Sequence, residues 1–243
     1  MIMAETGVAT SSLEGHRIKD APASMYYIPD FISAEEEAFI LSKIPANRWI
    51  SLSHRRLQAL PARLTASNVL VASAGLPTWL AKPAVERIEA LGLLATAPHG
   101  INHCLINEYE PGQGIMPHED GAAYHPVVAT VSLGGSIVLD VVEKTRNERE
   151  KDERQAWRIL QEPRSLLITT GSAYTDTLHG IAEVKEDVDL DETTVANWML
   201  LGDRESITAS AGRNERTTRI SLTFRDVLKE SKVGSKIFGK TKT

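Results

Sequence analysis

Cysteine is almost absent from this chain of 243 residues. Cys104 stands alone, so an intramolecular disulfide framework and a cysteine-rich zinc site are both excluded, and a reducing compartment, cytosolic or nuclear, is the expectation. Long apolar runs are lacking too: none approaches the about 18 residues that a membrane-spanning helix needs. The N-terminus has no basic region followed by an apolar stretch and a small-residue cleavage site, so a soluble, unsecreted protein without membrane contact is expected. Positive charge is not in excess. A net charge of −5 and a pI near 5.8 argue against a generally polyanion-coating surface, although a local basic groove fits inside an acidic average. No internal repeat occurs.

What is present suits one elaborated domain, since 42% hydrophobic residues can bury a large core. Residues 1–20 are small and polar and read as a mobile lead-in. Residues 21–98 read as an N-terminal extension. Within it, residues 26–32 suggest a strand and turn, and Ser33 followed by Glu35, Glu36 and Glu37 predicts a capped helix to about Ile44, burying Phe39 and Ile40. Residues 49–64 interleave Trp49, His54, Arg55, Arg56 and Arg63 with apolar positions. They fit either a solvated edge strand with a core tryptophan or a lid over a cleft. Residues 76–94 read as a proline-interrupted helical region, with Gly92 suited to its C-terminal cap.

From residue 99 the texture becomes β. Apolar runs at 103–109, 127–133, 136–142, 164–170 and 218–225 predict short strands of a sandwich or barrel, forming a core over 99–228. Two charged insertions interrupt it. Residues 143–158 suggest helix or loop, and residues 183–192 a solvated acidic loop. Residues 229–243 hold five lysines against one glutamate and read as a flexible basic tail.

The chemistry concentrates in three places. His118 and Asp120 are two apart, so in an extended chain they share a face and can offer an imidazole nitrogen and a carboxylate oxygen to one ion; an accidental surface pair has the same spacing. His179, followed by Gly180, is the best third donor, since glycine lets backbone pass close to a site. Two histidines and one carboxylate on one face of an ion leave three positions open, as in non-haem iron(II) oxygenases. Residues 219–225 alternate strictly. Arg219, Ser221, Thr223 and Arg225 fall on one face and Ile220, Leu222 and Phe224 on the other. An edge strand facing water would read the same way, whereas an inward polar face would require an anion such as a small dicarboxylate.

Together these elements resemble the AlkB-type iron(II) and 2-oxoglutarate dependent dioxygenases: Asn107-x-Tyr109, Gly112, His118-x-Asp120, His179-Gly180-Ile181 and Arg219-x-Ser221-x-Thr223-x-Arg225, in that order, most like the sixth AlkB-homologue branch. The resemblance covers about 100–226 and extends to the Tyr-Ile-Pro-Asp-Phe segment near residue 27 and the Arg-Arg-Leu segment near 55. It implies a mainly β fold with flanking helices, a double-stranded β-helix (jelly-roll) core, and an N-terminal α/β extension forming part of a substrate lid. It also implies that His118, Asp120 and His179 hold Fe(II) and are the catalytic residues. Arg219 would pair with the distal carboxylate of 2-oxoglutarate, helped by the Tyr109 hydroxyl. Asn107 and Arg225 would lie near the end that chelates iron, and Ser221 stands where much of the family has asparagine. With O2, the expected chemistry is hydroxylation of a substrate C–H bond, and on an N-methyl group, release of formaldehyde.

The resulting expectation is a monomeric oxidoreductase that demethylates N-alkylated bases in single-stranded or structured nucleic acid. Trp49, Arg55, Tyr124 and His125 are the candidate substrate contacts. His16, His54, His99 and His103 read as solvent-facing or hydrogen-bonded loop residues. Two alternatives come from other classes: a protein side-chain hydroxylase or demethylase, which the acidic average favours, and a binding module that keeps the metal pocket for structure.

Overall fold

The computed structural model describes residues 13–72, 74–145 and 155–232. In chain order the strands are β1 (Met25–Ile28), β2 (Ile50–Ser51), β3 (Arg56–Leu60), β4 (Leu70–Ala72), β5 (His103–Tyr109), β6 (Ile115–His118), β7 (Val127–Gly134) and β8 (Ile137–Glu143). They continue as β9 (Ala156–Gln161), β10 (Leu166–Thr170), β11 (Thr177–Ile181), β12 (Glu186–Asp187), β13 (Asn214–Glu215), β14 (Arg219–Arg225) and β15 (Glu230–Lys232). One antiparallel sheet runs β1-β10-β7-β14-β5-β3-β2 and a second runs β6-β11-β8-β9. Met25, Tyr27 and Leu167 of the larger sheet pack against Ile137, Val141 and Ile159 of the smaller. This is the jelly-roll core expected from the sequence.

β14 explains most of the site's placement. It is not an edge: it lies between β5 and β7, with Ser221 opposite Asn107 on one side and Ser132 on the other. Its apolar residues Leu222 and Phe224 are buried with Ile106 and Cys104 in the outer core, under the helices. Burying each such side chain stabilises the fold by about 1.5–3 kcal/mol, so the strand's facing is fixed and its polar residues must look inward.

The helices cover that outer face. α1 (Ala34–Lys43) begins with a complete capping box, in which Glu36 N donates to Ser33 Oγ at 3.2 Å and Ser33 N donates to Glu36 Oε2 at 2.8 Å. Such a cap contributes about 1 kcal/mol. Ile40 is fully buried, but Phe39, expected beside it in the core, is 47% exposed. Neighbouring helical positions point about 100° apart, and only one could take the core; Lys43 Nζ lies 5.2 Å from the Phe39 ring instead. The helical region 78–90 breaks at Lys82, the residue before Pro83. Gly92 follows it at φ +77°, the left-handed conformation a helix end favours.

Several boundaries differ from the sequence expectation. Order begins before residue 21, because Leu13 and Ile18 are buried and Arg17 bridges to Tyr26; residues 1–12 lie outside the described chain. The N-terminal extension is no separate appendage, since β1, β2 and β3 are strands of the larger sheet. The 183–192 segment is anchored: β12 pairs with β13, Leu190 is buried, and the Asp187 carboxylate accepts from Arg216 Nε at 2.9 Å. Part of 143–158 is strand β9, paired with β8, while 146–154 fall outside the described residues. The basic tail starts as β15, parallel to β4; residues 233–243 are not described.

Candidate metal centre and anion pocket

The two sheets enclose a cavity of about 110 Å³, smaller than drug-sized pockets and suited to a small metabolite. Its walls include Asn107 and Tyr109 from β5, His118 from β6, His179 from β11, and Arg219, Ser221 and Arg225 from β14, together with Asp120 and Arg55. Every residue expected to bind iron or 2-oxoglutarate therefore meets in one place.

Glycine brings the two imidazoles together. His179 is opposite His118 where β11 pairs with β6. A Cβ on Gly180 would fall 2.9 Å from Pro117 N and 3.0 Å from Ile115 O, and one on Gly114 would fall 2.3 Å from Ile181 O. Only glycine at both positions lets these backbones lie so close. The His118 and His179 ring centroids are consequently 4.5 Å apart. His118 Nδ1 lies 2.9 Å from Met116 O, so it carries the proton and leaves Nε2 with a free lone pair. Burial holds His179 down to about 4, despite the opposing pull of Asp120, so its ring is neutral near pH 7 and can donate to a metal.

Asp120 lines the same cavity, and its side chain engages a cation. Arg225 Nη2 donates to Asp120 Oδ1, and both side chains are nearly buried. Among the described residues, no three His, Cys, Asp or Glu side chains are grouped closely enough to hold an ion. Asp120 Oδ2 makes no hydrogen bond among those residues. Two neutral imidazoles and a carboxylate, with open space beside them, are a donor set that fits Fe(II). Tyr174, which the sequence reading missed, steadies this end: its hydroxyl donates to Gly121 O at 2.7 Å, next to Asp120.

The far end of β14 is arranged differently. Arg219 is 2% exposed and, among the described residues, has neutral acceptors and no carboxylate partner. Its Nη2 donates to Ser132 Oγ and Gln161 Oε1, both at 2.9 Å, and its Nε is buried without a partner. Burial depresses its guanidinium to about 10, with Tyr109 opposing, so it remains charged near neutrality. The Tyr109 ring centroid is 6.0 Å away. Burial raises the phenol of Tyr109, which keeps its proton and can donate to an anion. A cation held in low dielectric without a counterion is a strong demand for one, and a carboxylate of a small anionic ligand would meet it.

The four candidate substrate contacts separate. Arg55 lines the cavity and its Nε donates to Asn107 Oδ1 at 3.3 Å, while His54 Nδ1 pairs with Glu183 Oε1 at 3.0 Å. The β2–β3 connection is thus tied to the cavity wall and to the segment after β11, as a lid would be. Trp49 is not in the cavity wall. It packs on the outer core with the Arg56 guanidinium 4.6 Å above its ring, and Arg56 in turn donates to Glu108. Both readings of 49–64 are therefore partly met, by different residues. Tyr124 lies under Arg225 at 4.7 Å, and His125 is held by Asp226 O and Thr96 Oγ1; neither lines the cavity.

One other histidine departs from expectation, His103, whereas His99 is the hydrogen-bonded loop residue it was expected to be. His103 is no loop residue: it starts β5, is 2% exposed, and has no hydrogen bond on either ring nitrogen. His99 is held against the fully buried Asp226, Nδ1 to Oδ1 at 3.1 Å. Ser132 and Gln161 also escaped the sequence reading. Ser132 was an unremarked polar position in an apolar run, and Gln161 ends a strand hidden behind a charged insertion.

A sequence profile of the 2OG-Fe(II) oxygenase superfamily matches residues 24–225. A protein of Danio rerio named "Probable RNA/DNA demethylase ALKBH6" is 41% identical over 226 residues, covering 89% of this chain and 91% of its own. The Xenopus tropicalis "tRNA (carboxymethyluridine(34)-5-O)-methyltransferase alkbh8" is 29% identical over 85% of this chain, which spans only 32% of that protein. In fold, the chain is similar to the OsALKBH1 structure, with a TM-score of 0.51 and 17% identity over 83% of this chain and 97% of that one.

Proposed function

This chain belongs to the 2OG-Fe(II) oxygenase superfamily and is an oxidoreductase of that class, and we propose that it is an oxidative demethylase of N-alkylated bases in single-stranded or structured nucleic acid. His118, Asp120 and His179 would hold Fe(II). Arg219 and Tyr109 would take the distal carboxylate of 2-oxoglutarate, with Asn107, Ser221 and Arg225 nearer the metal. When bound, Fe(II), 2-oxoglutarate and O2 would supply the oxidation, yielding succinate, carbon dioxide and a hydroxylated substrate carbon. On an N-methyl group the product would be an N-hydroxymethyl group, which breaks at its C–N bond to give formaldehyde and the free base.

The protein's own residues have distinct tasks in this scheme. The His118 Nδ1 bond to Met116 O fixes which nitrogen faces the ion. Arg225 holds Asp120 by one oxygen and leaves the other for the metal. Arg55, from the β2–β3 connection, would close the cavity and keep water from the reacting atoms.

The observation that carries the enzymatic part is the meeting of both imidazoles, Asp120 and the unpaired Arg219 in one small cavity. The substrate part is supported by the named activity of the 41% identical relative and by Arg55, a cation of the cavity wall that is paired with neither Asp120 nor the cosubstrate in this scheme. Formaldehyde release from N-methylated single-stranded oligonucleotides, compared with methylated peptides under matched conditions, tests it. Release from the oligonucleotides is expected. Release from peptides alone would replace this reading with a protein demethylase.

A further inference from the structure

We infer that Gln161 and Ser132 are positioning residues that aim Arg219 at the distal carboxylate of 2-oxoglutarate, an inference that rests on the reading of Arg219 as the cosubstrate's anchor.

Three arginines are buried among the described residues. Arg216 is paired with Asp187 and Arg225 with Asp120. Arg219 alone is surrounded by neutral acceptors. A permanent structural role would be served better by a carboxylate, because an unpaired buried guanidinium is costly. A binding role needs the opposite: acceptors that orient the group without neutralising it. Ser132 Oγ and Gln161 Oε1 do that. They take both hydrogens of Nη2, while Ser132 Oγ also donates to Gln161 Oε1 at 3.3 Å, so the three groups fix one another.

The acceptors come from both walls. Ser132 is on β7, directly opposite Ser221 of β14, and Gln161 ends β9 of the smaller sheet, opposite Ile137. Both are essentially fully buried. Arg219 is therefore clamped between the sheets with Nη1 and the unpartnered Nε left for a ligand. Arg219 has no acceptor of its own, so Gln161 must turn its oxygen to it. That leaves the Gln161 Nε2 group, which donates to nothing among the described residues, as a further donor in a cavity wall.

Two substitutions and one comparison test this. Gln161→Leu removes the acceptor and should weaken 2-oxoglutarate binding about tenfold. Gln161→Glu places an anion on Arg219 from within. It should weaken binding further, by about a hundredfold, and raise the melting temperature of the metal-free protein. Binding would be followed by calorimetric titration of 2-oxoglutarate into Mn(II)-loaded protein, and stability by thermal unfolding without metal. Opposite movements of affinity and stability in Gln161→Glu are the expected result, which a merely misfolded variant cannot give. Native-like affinity in Gln161→Glu, or a melting temperature that falls with affinity, would overturn the inference. Arg219→Lys separates the two levels. If it weakens 2-oxoglutarate binding while Gln161→Glu does not, the positioning role fails and the anchor stands. If Arg219→Lys leaves binding unchanged, the anchor fails and the inference falls with it.

Discussion

The two ends of β14 carry the same side chain in opposite electrostatic circumstances. Arg225 is nearly buried and has its anion built in, Asp120. Arg219 is more deeply buried and has none. One strand thus holds a guanidinium with a counterion beside the two imidazoles and, at the far end of the same cavity, one without a counterion among the described residues, although the Nε of each is buried without a partner. The difference points to where a ligand would go: in the proposed scheme the first cation organises the carboxylate that would bind the metal, whereas the second would take a carboxylate from outside. Stability alone would satisfy both.

The largest way to break this comparison is to exchange the two conditions. Asp120→Asn leaves Arg225 buried without a counterion, and losing one partner of a buried pair costs about 3–5 kcal/mol. Its thermal unfolding should shift down sharply, and iron-dependent succinate formation should fall at least about a hundredfold. Arg219→Met removes a charge that had no counterion and should leave the melting temperature unchanged or raised. Equal destabilisation by the two variants would show that the ends are alike.

Acid probes the Arg225 end more gently. His103 lies opposite Arg225 in the β5–β14 register, and burial, followed by repulsion from Arg225, lowers it to about 4 from an ordinary 6.5. The folded state therefore resists protonation that the unfolded chain accepts. Stability from this group is fully present above pH 6.5 and is lost as pH falls toward 4, by up to about 3 kcal/mol. His179 is depressed alike, so in the metal-free protein His103→Asn should remove about half of the slope of melting temperature between pH 6.5 and 4. An unaltered slope would remove His103 from the account.

A smaller effect distinguishes support from substrate contact. The Tyr124 ring lies 4.7 Å beneath Arg225 and outside the cavity wall. Tyr124→Leu should lower stability by about 1 kcal/mol through the lost cation–π contact, with the KM for a methylated oligonucleotide unchanged. A raised KM with native stability would return Tyr124 to the substrate surface.

Where the sequence was legible, local pattern and tertiary role agreed. β5 appears at residues 103–109 as expected, and the alternation of β14 announced both its core face and its polar face. That His118, Asp120 and His179 face one cavity was legible from the two-residue spacing of the first pair and from the glycine after His179, which lies in the close approach of β6 and β11. What was hidden depended on partners distant in sequence. Phe39 lost its core place to Ile40 on the same helix, and Asp187 became buried because Arg216, far along the chain, neutralises it. Trp49 and Arg55 share one aromatic and cationic stretch, yet they lie on either side of β2, and only Arg55 lines the cavity while Trp49 packs on the outer core. Gln161 gave no signal, since a glutamine beside a charged insertion reads as surface until two sheets close over it.

The central claim is that Arg219 waits for the carboxylate of a cosubstrate, and the apparent KM for 2-oxoglutarate in Arg219→Lys against the native protein, read as Fe(II)-dependent succinate formation, tests it most directly. Lysine keeps the charge and loses the planar fork, so a KM raised by about tenfold or more is predicted. An unchanged KM would contradict the account.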